Sequence, residues 1–99
     1  MRVISRRTLR DFWEQPGHQD SEQPLKAWFT EAEKATWRSP ADIKEQYRNA
    51  SILKNSRAVF NIGGNKYRLV VALKYTQEIA YIRFVGTHEE YDDIDAETV

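Results

Sequence analysis

The strongest structural signal in the chain is the stretch Arg57-Ala58-Val59-Phe60-Asn61-Ile62-Gly63-Gly64-Asn65-Lys66-Tyr67-Arg68-Leu69-Val70-Val71-Ala72-Leu73-Lys74. Two β-rich runs, 57–62 and 66–74, flank a Gly-Gly-Asn sequence, and these residue types tolerate the positive φ that tight hairpin turns require. A third β-rich run, 79–87, follows a short turn. The second half of the chain is therefore predicted to be a three-strand antiparallel meander.

Helical patterns precede this meander. Apolar residues recur at helical spacing between Arg6 and about Gln15, and again from Ser21 to about Ala35; these are Leu9, Phe12 and Trp13 in the first segment and Leu25, Trp28, Phe29 and Ala32 in the second. Ser39-Pro40 predicts the start of a third helix that ends near Arg48. Met1 to Ile4 predicts a short first strand. We expect an α+β domain with two to three helices on one face of the sheet.

The length and composition limit the class of protein. A chain of 99 residues supports one hydrophobic core, so a single domain is expected over residues 1–99. The chain has no cysteine, which excludes disulfides and thiolate zinc sites. No apolar run approaches the ~20 residues that span a bilayer, and no signal-peptide pattern is seen. We expect a cytoplasmic protein that does not bind membranes.

The charges are unevenly distributed. Residues 1–87 contain all 15 Lys and Arg residues and nine acidic residues, whereas residues 88–99 contain six acidic residues and no Lys or Arg. A basic body can bind a polyanion if the acidic C-terminal segment points elsewhere, although such a segment can equally be a solvated tail. The composition is therefore compatible with nucleic-acid binding.

Strand alternation sorts the meander into two faces. If Gly63-Gly64 is a two-residue loop, Asn61 pairs with Lys66, and one face carries Phe60, Ile62, Tyr67, Leu69, Val71, Leu73, Ile82 and Phe84. The other face carries Asn61, Lys66, Arg68, Lys74, Tyr81, Arg83 and Thr87. It is either an ordinary solvated face or an anion site. Arg68 and Arg83 are expected to lie within a diagonal of each other, where a phosphate would relieve their repulsion.

The candidate catalytic groups follow the last strand. His88 comes directly after Thr87, and Tyr91 lies one turn further on if a helix begins there. An imidazole transfers protons near neutral pH without a large pKa shift, and tyrosines can stack on unpaired bases. His18, in a polar loop, is expected to be inert. Neither a metal-ligand set nor a glycine-rich phosphate loop is apparent, so no metal or cofactor is predicted.

Two blocks of sequence resemble the HigB toxins of bacterial type II toxin–antitoxin systems. They are Val59-Phe60-Asn61-Ile62-Gly63-Gly64-Asn65-Lys66-Tyr67-Arg68-Leu69-Val70 and Tyr81-Ile82-Arg83-Phe84-Val85-Gly86-Thr87-His88-Glu89-Glu90-Tyr91-Asp92. The resemblance implies a RelE-like fold and a messenger-RNA endonuclease that acts on the ribosome. It also implies a cognate antitoxin with a helix-turn-helix domain, through which the pair reaches operator DNA.

The family's motif positions fall on Asn61, Arg68, Arg83, His88 and Tyr91. We assign catalysis to Arg68, Arg83, His88 and Tyr91, and RNA binding to Lys54, Arg57, Asn61, Lys66, Lys74 and Tyr81. Two alternatives stay open: a non-enzymatic toxin of the gyrase-inhibiting ParE type, and a nucleic-acid-binding module without catalysis. His88 and Tyr91 favour the nuclease, because a pure binder needs no proton-transfer group beside two arginines.

Overall fold

The computed structural model describes residues 1–99 as one α+β unit. In chain order it contains β1 (Arg2–Ile4), α1 (Arg6–Trp13), a 3-10 turn (Gln19–Ser21), α2 (Glu22–Lys34), α3 (Pro40–Gln46), β2 (Ser51–Leu53), β3 (Arg57–Ile62), β4 (Tyr67–Lys74), β5 (Ile79–Thr87) and α4 (His88–Asp92). The five strands lie in the order β1-β5-β4-β3-β2. β1 runs parallel to β5 and the other pairs are antiparallel. The predicted α+β class and C-terminal meander are confirmed. β2 is an additional element, and α4 is the helix that the sequence analysis considered after Thr87.

The core lies between the helices and one face of the sheet. Leu9 of α1 and Leu25 of α2 are fully buried, as the helical spacing predicts. Phe60 of β3 packs edge-on against Trp28 at 5.3 Å and stacks on Trp37 at 5.8 Å between ring centroids. Such aromatic contacts add to the free energy gained by burying large apolar side chains. None of the helices combines the length and apolarity needed to cross a membrane.

The β3–β4 hairpin has a longer loop than the sequence predicts. Ile62 lies opposite Tyr67, so the loop contains the four residues 63–66. Gly63 and Gly64 have φ values of 63° and 71°, where residues with a β-carbon are strained. The predicted two-residue loop is wrong, but the register differs by two residues, and the side-chain period of a strand is also two. The assignment of β3 and β4 side chains to the two faces is therefore unchanged.

A β-bulge changes the faces of β5. Val70 lies opposite Phe84 while Val71 lies opposite Ile82, so Arg83 is the extra residue. A bulge reverses the alternation beyond it. Ile82 faces the helices as predicted, but Phe84 lies on the opposite face, which we call the outer face. The prediction for Phe84 is wrong because simple alternation cannot anticipate an inserted residue.

The outer face of the sheet is not open to solvent at its centre. Residues 93–99, the tail segment, fold back across it after α4. Ala96 is buried with Val59 and Val70, and Ile94 and Val99 are half-buried against this cluster. Burial of these apolar groups stabilises the folded position of the tail segment. A solvated tail, one of the two sequence interpretations, is therefore incorrect for residues 93–99.

Candidate active site

The helix α4 begins where β5 ends and carries the two candidate proton-transfer groups. Thr87 is its N-cap: the Glu90 N–H donates to Thr87 Oγ1 at 3.2 Å, and the Thr87 N–H donates to Glu90 Oε1 at 2.8 Å. This reciprocal capping box satisfies donors that the start of a helix leaves unpaired. A helix does begin after β5, which is the condition under which the sequence places His88 and Tyr91 one turn apart.

His88 and Tyr91 have different surroundings. The His88 side chain is 55% exposed, and its Nδ1 lies 3.5 Å from Oδ2 of Asp92, four residues later. The carboxylate lies on the Nδ1 side of the ring, which leaves Nε2 as the candidate atom for proton transfer. The Tyr91 ring is half-buried against the Val59 and Val70 cluster of the outer face. Tyr91 therefore fixes α4 to the sheet, one helical turn from His88.

Arg68 lies beside this helix, at the end of the sheet that carries the hairpin loop. In register it is opposite Asn61 on one side and Gly86 on the other. Its Nη1 donates to the Asn65 carbonyl at 3.1 Å, while Asn61 Nδ2 donates to the Asn49 carbonyl at 3.3 Å. The structure thus brings Arg68 and Asn61 into one row, immediately before α4.

Arg83 lies at a different part of the outer face. It is three residues from Gly86, the partner of Arg68, which corresponds to about 10 Å along a strand. The predicted diagonal pairing of Arg68 with Arg83 is therefore wrong, because the bulge and the register separate them. Instead, Arg83 Nε and Arg57 Nη2 donate to the same oxygen, the backbone oxygen of Val99, at 3.1 and 2.7 Å. The outer face thus has two cationic positions, one at Arg68 and one shared by Arg57 and Arg83.

Lys66 is held away from the outer face. It forms an ion pair with Asp20, and the buried Tyr67 donates its hydroxyl hydrogen to the same carboxylate. The hydrogen bond from Lys66 holds the pKa of Asp20 below its ordinary value, and the same bond raises the pKa of Lys66. Burial raises the pKa of Tyr67. This cluster ties the hairpin loop to the 3-10 turn.

The remaining predicted RNA-binding residues surround the tail segment and the strand ends. Lys54 lies in the β2–β3 turn, where its N–H donates to Oε2 of Glu97 at 3.2 Å. Tyr81 is half-buried in β5, opposite Ala72, and Lys74 is exposed at the end of β4. The structure therefore does not gather all six predicted RNA-binding residues into one patch.

Two residues of the site, Asp92 and Glu90, were not predicted from the sequence. Asp92 is the partner of His88, and the i, i+4 spacing of these residues was the available signal. Glu90 completes the cap of α4, and its signal was the Thr-x-x-Glu pattern of a capping box. No cluster of three or more His, Cys, Asp or Glu side chains is arranged to hold a metal ion.

The α+β fold, with arginines on its outer face beside a histidine-bearing helix, is consistent with the RelE-like class of toxins. The chain belongs to the HigB toxin family, described as the RelE-like toxic component of a toxin–antitoxin system, and the family model matches residues 21–94. The resemblance found in the sequence is thereby confirmed. The chain is 32% identical over 95 residues to the mRNA interferase toxin HigB of Escherichia coli strain K12, covering 93% of this chain and 88% of that protein. The mRNA interferase HigB of Shigella flexneri matches to the same extent.

Proposed function

We propose that this protein is the toxin of a toxin–antitoxin system and that it cleaves messenger RNA. Its membership of the HigB family and the mRNA interferase activity of its relatives in Escherichia coli and Shigella flexneri support this function. The observation that carries the proposal is the position of Arg68, which lies one residue pair from the start of the helix that bears His88. A phosphate-binding guanidinium and a proton-transfer group thus occupy the same end of the sheet.

The reaction needs no metal ion. A ribose 2′-hydroxyl oxygen attacks the adjoining phosphorus, its proton passes to a base, and the bond to the 5′-oxygen breaks as that oxygen takes up a proton. The products are a 2′,3′-cyclic phosphate and a 5′-hydroxyl. His88 carries out one proton transfer through Nε2, and Tyr91 is the candidate for the other. Arg68 is the guanidinium that stabilises the negative charge developing on the phosphoryl oxygens, whereas Arg83, about 10 Å away along the strand, is too far to share the same phosphate.

The partners follow from the proposed class. The substrate is messenger RNA occupied by ribosomes. Of the predicted RNA-binding residues, those on the outer face, Arg57, Asn61 and Tyr81, are the candidates for contact with its single-stranded backbone, whereas Lys66 is engaged by Asp20. A cognate antitoxin with a helix-turn-helix domain neutralises the protein in the cytoplasm. Operator DNA is reached only through that antitoxin.

Mapping of RNA 5′ ends in cells after induction tests the function. New 5′-hydroxyl ends within translated codons are expected with the parent protein. The His88→Ala variant should lose them, with a fall in cleavage rate of about 10²- to 10⁴-fold. His18→Phe is the matched control: the His18 ring stacks on Phe12 at 4.2 Å, far along the chain from the site, and a phenyl ring preserves that contact.

The same experiment separates the alternatives. Intact messages with damaged chromosomes would contradict the nuclease and favour a gyrase inhibitor of the ParE type. Intact messages and intact chromosomes, together with salt-dependent RNA binding, would indicate a binding module without catalysis. Cleavage that is unchanged in His88→Ala would leave the nuclease in place and refute the role assigned to His88.

A further inference from the structure

The tail segment occupies the second cationic position of the outer face. The backbone oxygen of Val99 accepts one hydrogen bond from Arg57 Nη2 at 2.7 Å and one from Arg83 Nε at 3.1 Å. Arg57 Nε is buried and has no acceptor. Two converging guanidinium groups with a spare donor form a site suited to an anion with several oxygens. The Val99 oxygen therefore uses only some of the hydrogen-bond donors that Arg57 and Arg83 offer.

The tail segment is anchored by contacts that are separate from these arginines. Ala96 is only 8% exposed and packs against the Val59 and Val70 cluster. Asp95 shapes the turn that follows, because its Oδ1 accepts from the Glu97 N–H at 3.0 Å and its carbonyl accepts from the Val99 N–H at 2.9 Å. The position of the Val99 oxygen thus depends on the burial of Ala96.

The tail segment also places negative charge over a cationic surface. It contributes the carboxylates of Asp93, Asp95 and Glu97, and Glu97 Oε2 accepts from the backbone of the β2–β3 turn. In the folded-back position these charges repel a polyanion that approaches Arg57 and Arg83. The same position cannot hold both the Val99 oxygen and a phosphate oxygen.

We propose that Arg57 and Arg83 form a subsite for a backbone phosphate of single-stranded RNA, and that the tail segment occupies this subsite until RNA displaces it. The inference rests on the proposed function, because it assumes that RNA is the ligand of the outer face. The tail segment then acts as an intramolecular competitor. A subsite that is free in about a tenth of the molecules binds its ligand about 10-fold more weakly than a permanently open one.

The first test releases the tail segment without changing either arginine. In Ala96→Glu the carboxylate cannot be accommodated between Val59 and Val70, so the tail segment leaves the face. The probe is a single-stranded RNA oligonucleotide with 2′-O-methyl riboses, which cannot be cleaved. We expect Ala96→Glu to bind it about 3- to 10-fold more tightly than the parent at 0.1 M salt, although the variant carries an added negative charge.

Ala41→Glu is the matched control, because it adds the same side chain at an exposed position of α3. It should bind the RNA no more tightly than the parent. Arg57→Gln in the Ala96→Glu background should cancel most of the gain in RNA affinity. Equal binding by Ala96→Glu and Ala41→Glu would overturn the proposal.

A second measurement does not depend on the folding of Ala96→Glu. The chain has no cysteine, and Thr98 is exposed, so a spin label on Thr98→Cys reports the tail segment alone. Adding the uncleavable RNA should convert the label from a restricted to a mobile signal. RNA binding with an unchanged signal would overturn the competition and leave the nuclease intact. The absence of RNA binding and of cleavage, in the parent and in both variants, would instead refute the proposed function together with the subsite.

Discussion

Thr87 and Glu90 hydrogen-bond each other in both directions at the junction of β5 and α4. The junction converts a strand into the helix that presents His88 and Tyr91. Because α4 has only five residues, it gains little from its own propagation and depends on this cap and on the contact of Tyr91 with the sheet. The geometry of the candidate active site is thus linked to one side-chain pair that takes no part in proton transfer.

Thr87→Ala tests this link. Loss of the cap should lower the free energy of unfolding by about 1 kcal/mol and reduce RNA cleavage several-fold, because His88 is less firmly positioned. Thr87→Ser keeps the hydroxyl oxygen and should restore most of both quantities. Denaturant unfolding and single-turnover cleavage are the measurements.

Ser39→Ala is the control for the cap. Ser39 occupies the equivalent N-cap position of α3, but its side chain makes no capping hydrogen bond. The substitution should therefore change stability much less than Thr87→Ala and leave cleavage unaltered. Equal losses in the two variants would mean that the capping box has no special part in the site.

Gly86→Ala is expected to disturb the same junction by steric overlap. A β-carbon at residue 86 would lie 2.5 Å from Cζ of Phe84 and 3.0 Å from Oε1 of Glu90. Overpacking of this kind costs about 1–3 kcal/mol, which denaturant unfolding would detect. Phe84→Leu in the Gly86→Ala background should recover part of the loss, because it removes the ring that the new methyl group meets. Additive effects of the two substitutions would contradict this interpretation.

The sequence was sufficient for the layout of the sheet but not for its details. The predicted hairpin loop was two residues too short, but this error did not change which side chains of β3 and β4 share a face, because the register differed by two residues. The bulge at Arg83 did matter, since one inserted residue moved Phe84 to the outer face. β2 has only three residues, Ser51–Leu53, and carries no usable periodicity. Its existence follows from pairing with β3, which is a tertiary effect.

The candidate site could be predicted in part for similar reasons. The one-turn spacing of His88 and Tyr91 could be predicted because a helix start is encoded locally. The position of the tail segment was not, since the acidic residues of 88–99 dominate its composition and conceal three apolar residues, Ile94, Ala96 and Val99. Only the structure shows that these residues cover Val59 and Val70 and bring a backbone oxygen to Arg57.

The Asp20 cluster predicts a specific pH dependence. The pKa of Asp20 is lowered by its hydrogen bond from Lys66, so the charged pair stabilises the fold above the ordinary carboxyl pKa, and this contribution is lost as the pH falls through the lowered value. The pKa of Lys66 is raised, so the contribution also declines at alkaline pH as the pH rises through that raised value. The difference in denaturant midpoint between the parent and Asp20→Asn should be constant near neutral pH. It should shrink below about pH 4.

Asp11→Asn is the control for the pH experiment. Asp11 lies 3.8 Å from Arg7 on α1, and both side chains are more than half exposed. This ion pair should contribute little to the free energy of unfolding at any pH. The contradicting result is a difference in denaturant midpoint between the parent and Asp20→Asn that is the same at pH 3 and pH 7. It would show that the ionised carboxylate does not hold the hairpin loop to the 3-10 turn.

Arg68 is expected to act through its charge and its geometry separately. Its hydrogen bonds to the hairpin carbonyls are exposed or partly buried, so Arg68→Ala should leave the free energy of unfolding nearly unchanged. If Arg68 contacts a phosphate, the plot of log affinity for uncleavable RNA against log salt should become shallower by about 1. Arg68→Lys should restore that slope, because the charge returns. It should not restore cleavage, since an ammonium group lacks the planar donors that bind two phosphoryl oxygens together.

Arg7→Ala removes one exposed cation from α1 and is the matched control for net charge. An equal change of slope in Arg7→Ala and Arg68→Ala would mean that RNA senses only the overall charge of the protein and that Arg68 makes no phosphate contact.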